Sequence, residues 1–155
     1  MRSVKYEELA ALAGEEIGVS DWFHVTQDRV DQFAEITGDH HWIHVDVERA
    51  EREMGGTIAH GWLTVSLIPV LGLGLLQIED MSRRINYGCD KVRFTNPVRV
   101  GKRIRLRQTL GSVTPKAGGL QLKNLNTVEI EGGERPACIA ETLSLVYGPG
   151  APPLV

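Results

Sequence analysis

Two cysteines, Cys89 and Cys138, are all that this 155-residue chain contains. They cannot build a disulfide framework, and each falls in a strand-like stretch where a small buried hydrophobe is the ordinary role. An apolar run near the start is also missing, because Glu7 and Glu8 interrupt it, so a reducing cytoplasm is the expected compartment. Positive charge is scarce: a net charge of -3 excludes a nucleic-acid binder that neutralises phosphates over a broad face. What basic charge there is gathers late, since no acidic residue falls between Lys91 and Val128, an interval that holds Arg99, Lys102, Arg103, Arg105 and Arg107. A local cationic surface on an acidic protein suits an anionic small molecule better than a duplex. Repeats, low-complexity tracts and linkers are absent too. With 42% hydrophobic residues the chain supports a single core, expected over residues 1–147, with a Pro- and Gly-rich tail at 148–155.

One stretch lacks charge altogether, from Gly61 to Ile78. It is long enough to span a bilayer, but Pro69, Gly72 and Gly74 interrupt it, no basic flank precedes it, and Glu79-Asp80 follows. A long helix buried inside a globular protein, with no membrane partner, is the expected outcome. Before it, residues 4–13 suit a short helix and Val19 to Val25 an extended segment. Thr26 is a candidate N-cap for a helix with Val30, Phe33, Ala34 and Thr37 on one face, and Gly38 is its stop. Asp46 is placed to cap a short polar helix over residues 47–53. After Asp80 the period changes to two, most clearly in Arg103-Ile104-Arg105-Leu106-Arg107. Strands are expected near 84–94, 103–107, 120–130 and 137–147, pairing antiparallel with their sequence neighbours. The pattern predicts an α+β fold in which a curled antiparallel sheet wraps around one long apolar central helix.

The chemistry concentrates between Thr37 and Gly61. Asp39 follows the helix stop directly and His44 lies five residues on, in an expected loop. If the chain curls back there, a carboxylate and an imidazole converge on one water and can move its protons; otherwise the spacing is an Asx-turn beside a surface histidine. His60-Gly61 opens the apolar helix, so the Gly61 amide lacks an intrahelical acceptor and admits an oxygen closely, while the alternative role of His60 is to cap that helix. A metal site is a rival, with His40, His41, His44, His60, Asp39 and Asp46 as ligand candidates, although no H-E-x-x-H occurs. Ser66 has no G-x-S-x-G elbow around it. Trp42 and Ile43 either pack beneath the loop or line a pocket.

FAEITGDHHWIHVD followed by TIAHGWLTVSL, with INYGCDKVRFTNPVRVGKRIR after it, resembles the MaoC-like dehydratases, which include R-specific enoyl-CoA hydratases and nodulation-protein-N-like members. The resemblance implies the hot-dog fold and (R)-specific hydration of trans-2-enoyl thioesters or the reverse dehydration. It implies Asp39 and His44 as the catalytic pair and Gly61 as the amide that binds the thioester oxygen, with His60, His41 and Trp42 beside the substrate. It implies no metal and no cofactor beyond a coenzyme A or acyl-carrier-protein thioester as substrate, and a homodimer. The coenzyme A phosphates would meet Arg99, Lys102 and Arg103. His41-Trp42 stands where many R-hydratases carry Asn-Pro, and Pro69 where some carry a pocket serine. A non-catalytic thioester-binding protein and a hot-dog thioesterase are the alternative activities.

Overall fold

The computed structural model of the chain describes residues 1–151. A sheet of six strands is built from β2 (Glu16–Val19), β3 (Phe23–His24), β5 (Arg83–Phe94), β6 (Arg103–Lys116), β7 (Gly119–Ile130) and β8 (Cys138–Tyr147). Its order is β2-β6-β7-β8-β5, all antiparallel, with β3 beside β2 on β6. A small parallel pair, β1 (Arg2–Val4) with β4 (Leu76–Ile78), lies apart from it. The sequence period holds well in β6 and β7, and the expected pairing of neighbours holds for β6, β7 and β8. It fails for β5, which pairs with β8. The connection over residues 95–102 carries the chain past two strands, held on the way by Ala59 N to Val98 O (2.8 Å) and Val100 N to Thr57 O (3.0 Å).

Local chemistry sets the helices before the site. Thr26 accepts from Arg29 N and opens α1 (Gln27–Thr37), which turns Val30 and Ala34 to the core; Gly38 ends it in the left-handed region at φ 78°. A single helical turn, α2 (Trp42–Val45), occupies the expected loop, and Asp46 then accepts from Arg49 N to start α3 (Val47–Met54).

The uncharged run departs most from expectation. It makes α4 (Gly61–Ser66), α5 (Ile68–Gly72) and β4 rather than one helix over 61–78. The helical path stays continuous through Leu67, but Pro69 has no N–H for the Val65 carbonyl, and Gly72 and Gly74 release the chain. Gly61 packs on Phe94 of β5 and Gly72 on Leu106 of β6. Phe94, Cys138, Val128 and Leu106 form one row across the strands, so the helix crosses the sheet rather than following a strand. Leu63, Ile68 and Leu71 are buried, whereas Trp62, Val70 and Leu73 remain 62%, 48% and 73% exposed. The sheet therefore covers one side of the helix within a single chain. No helix among the described residues is long and apolar enough to cross a membrane. Of the expected tail, residues 152–155 lie outside the described residues, while Gly148 packs against the Tyr6 ring.

Beneath the helix the sheet is not purely apolar. Buried Asn126 accepts from Gln108 Nε2 (2.8 Å) and gives its amide to Asn124 O, Ala140 O and Thr142 Oγ1. Truncation would strand several of these groups without water, so Asn126→Ala is expected to cost about 2–3 kcal/mol, read as a lower urea midpoint with an unchanged slope.

Candidate active site

Asp39 emerges from the left-handed Gly38 turn and is held loosely by its neighbours: Thr37 Oγ1 accepts from its N–H, and one of its carboxylate oxygens accepts from His41 N, both at 3.4 Å. The Asx-type contact and the functional placement thus coexist. The α2 turn, closed by His44 N to His41 O (2.9 Å), swings the His44 ring inward, where it is 8% exposed. His44 Nδ1 lies 2.7 Å from the Ile58 carbonyl, so that nitrogen donates and Nε2 is left with its lone pair. Ile58 is itself tied to this turn by its amide to Ile43 O (3.0 Å).

His60 comes from the opposite side, at the entrance of α4. Asp39, His44 and His60 each present one ligand-type atom, and the three lie within 4.8 Å of one another. That separation lets a single water bridge the carboxylate and an imidazole at ordinary hydrogen-bond lengths. Burial disfavours the His44 cation and moves its pKa below the usual histidine value; the Ile58 carbonyl opposes this, His60 adds to it, Asp39 opposes it and His41 adds to it.

The same three groups form the metal set, but the remaining candidates are elsewhere. His40 Nε2 lies 3.8 Å from Glu35 Oε1, Asp46 caps α3, and His41 is exposed against Trp42. His60 Nε2 faces the Asp39 carbonyl at 2.9 Å and must carry its proton there, which removes that nitrogen from any ligand set. Trp42 packs under the Arg49 guanidinium, 4.2 Å from the ring centroid, and beside His41.

Gly61 is the first residue of α4, so its amide has no acceptor within the helix. A Cβ placed there would lie 3.0 Å from three atoms of the Phe94 ring, which in turn meets Trp62 edge-on at 5.6 Å between centroids. Phe33, Ile58 and Phe94 complete the surroundings without having been marked by sequence. A backbone carbonyl leaves no signal in a sequence, and the ring 5.0 Å from His60 belongs to Phe33, which reads as an ordinary inward position of α1.

Three arginines of the cationic strand are paired with acids. Arg103 pairs with Glu131, Arg105 and Arg107 share Glu129, Arg107 also meets Glu16, and Arg99 donates to Gly56 O. Glu129 and Glu131 lie just past the acid-free interval, Glu16 far before it, and the β6–β7 register sets Glu129 opposite Arg105. Arg103 is thereby lost as an obvious phosphate anchor.

Known proteins similar to this chain share a family. The chain is 47% identical over 138 residues to 3-hydroxyacyl-thioester dehydratase Z of Mycobacterium tuberculosis, spanning 88% of this chain and 91% of that protein. It is 38% identical over 150 residues to nodulation protein N of Rhizobium leguminosarum bv. viciae, spanning 94% and 93%. Among solved structures, a MaoC-like dehydratase from Rhodospirillum rubrum matches with a TM-score of 0.74 at 22% identity over 97% of this chain and 99% of that one. An R-hydratase from Pseudomonas aeruginosa matches with a TM-score of 0.69 at 21% identity, covering 92% and 90%. These likenesses establish the shared hot-dog fold. The MaoC like domain model matches residues 8–130, and the chain belongs to that family.

Proposed function

We propose that the chain is a hydro-lyase that adds water to trans-2-enoyl thioesters to give (R)-3-hydroxyacyl thioesters, or catalyses the reverse, on coenzyme A or an acyl-carrier protein. The observation that carries this reading is the convergence of Asp39 and His44 with His60, the residue that precedes the Gly61 amide. In the hydration direction the pair takes one proton from the bridging water as its oxygen bonds to C3. The π electrons move toward the thioester oxygen, which accepts a hydrogen bond from the Gly61 amide as an enolate. A proton returned by the pair at C2 restores the thioester. No step uses a metal, so a chelator is expected to leave turnover unchanged. The test is to mix the protein with crotonyl-coenzyme A and follow loss of the enoyl-thioester absorbance. Release of free thiol in place of hydration would make it a thioesterase, and binding without turnover would make it a non-catalytic thioester-binding protein.

The pH dependence follows from the burial of His44. Its neutral form is the one that helps deprotonate water, and burial keeps that form dominant to below the ordinary value of about 6.5. Hydration kcat/KM is expected to be flat near neutrality and to fall only as pH drops through the lowered pKa. The linkage has the same sign: the unfolded chain takes up this proton first, so the stability contributed by neutral His44 is present above about 6.5 and is lost as pH falls through the folded-state pKa. A pH–rate profile whose acid limb lies above 6.5 would contradict the assignment.

The outer edge of β5 and the bare side of α4 and α5 support a homodimer. Tyr87 and Phe94 on β5 and Trp62, Val70 and Leu73 on the helix are all exposed in the single chain. Light scattering after size-exclusion chromatography reads the mass directly.

A further inference from the structure

We propose that His60 is the positioning residue of the site: its Nε2–H holds the backbone of Asp39 while its ring is the platform on which His44 lies. The inference rests on the hydratase reading above and adds a role for a residue outside the acid–base pair. His60 is 3% exposed, and its Nε2 also lies 3.9 Å from the Asp39 carboxylate. Its Nε2 lies 2.9 Å from the Asp39 carbonyl, far shorter than the 3.4 Å contacts Asp39 makes to its sequence neighbours. Its ring stacks on His44 with centroids 3.8 Å apart and planes 24° apart, and Phe33 packs against it at 5.0 Å.

Two further facts separate this role from ordinary packing. His60 occupies the N-cap position of α4, yet its side chain makes no capping hydrogen bond, so the helix does not require an imidazole there. Its Nδ1 is buried with no hydrogen-bond partner among the described residues. An apolar ring in the same place would avoid that unsatisfied acceptor, so the histidine is retained for what Nε2 does. The Asp39 carbonyl, which can only accept, defines the tautomer: the proton of the neutral ring sits on Nε2, aimed at Asp39. Because His60 immediately precedes Gly61, one residue ties together the acid, the imidazole and the start of the amide-bearing helix.

The test compares His60→Phe, which keeps a flat ring without the donor, with His60→Gln, whose amide nitrogen reaches the position of Nε2. A displacement of about 1 Å in such a group costs on the order of 10²-fold. His60→Phe is expected to lower kcat for crotonyl-coenzyme A by about 10²-fold with KM changed by less than about threefold, while His60→Gln stays within about tenfold of wild type. Melting curves accompany both. Ring-nitrogen NMR of the wild-type protein is expected to show His60 Nδ1 unprotonated and Nε2 protonated. Wild-type kcat in His60→Phe, no rescue by Gln, or a proton on Nδ1 would overturn the proposal. If the wild-type protein fails to hydrate crotonyl-coenzyme A, the functional reading fails, and the ring-nitrogen spectrum still decides the His60 arrangement.

Discussion

Asp39→Asn and His44→Ala are each expected to lower kcat for hydration of crotonyl-coenzyme A by about 10²- to 10⁴-fold, the range a positioned acid or base contributes. The two substitutions differ in what else they disturb, which makes them informative together. The Asp39 side chain is 57% exposed, and asparagine retains its shape, so Asp39→Asn should leave stability within about 0.5 kcal/mol of wild type. Its loss of rate is then purely chemical, since the amide can neither accept a proton nor attract one. His44→Ala removes a buried ring that bonds Ile58 O and stacks on His60, so it is also expected to lower the melting temperature. Turnover must therefore be compared at a temperature where both variants are folded. Because the two groups act on one water, their effects should not add: the double variant is expected to be about as slow as the slower single one. Wild-type turnover in both single variants would sink the pair, and full additivity would mean that they act on separate steps.

What could be read in advance followed from how local each determinant is. Thr26, Gly38 and Asp46 act on amides one turn away, so α1 and α3 came out as their caps predict. Asp39, His44 and Gly61 were singled out by the family resemblance, since the spacing of Asp39 and His44 alone equally fits a surface turn. The length of the central helix was not, because absence of charge says that a segment is buried and not how long it stays helical. Pro69, Gly72 and Gly74 were in view, but their effect on the helix end depended on β4 finding β1. The partner of β5 was hidden for a similar reason, since the chain between residues 95 and 102 is long enough to cross the sheet end and local pattern cannot choose among strands. The ion pairs of the cationic strand were not legible, because Glu129, Glu131 and Glu16 lie outside the acid-free interval and only the fold brings them to Arg103, Arg105 and Arg107. The His60–His44 stack joins two segments through tertiary packing alone, and no spacing between positions 44 and 60 announces it.

Gly61→Ala is expected to lower hydration kcat/KM by about 10²-fold, near the lower end of what losing a well-aimed oxyanion donor costs. The reason is space rather than backbone conformation, because Gly61 begins an ordinary helical segment that alanine favours by about 1 kcal/mol. Its Cβ would meet the Phe94 ring at 3.0 Å, closer than a relaxed contact. A small shift of the ring relieves a 3.0 Å contact, so the helix gain and the clash should nearly cancel in stability. Activity has no such compensation: a shift of the ring or of the first turn moves the amide away from the thioester oxygen it must meet within about 3 Å. The obstruction is a side chain, which makes it reversible. A smaller residue at position 94 should restore most of the loss, bringing Gly61→Ala/Phe94→Leu to within about tenfold of Phe94→Leu alone, as the coupling of two residues in contact requires. Unchanged kcat/KM in Gly61→Ala would remove the close approach at this amide from the mechanism. A double variant as slow as Gly61→Ala would place the fault at the amide itself rather than at the ring that packs against it.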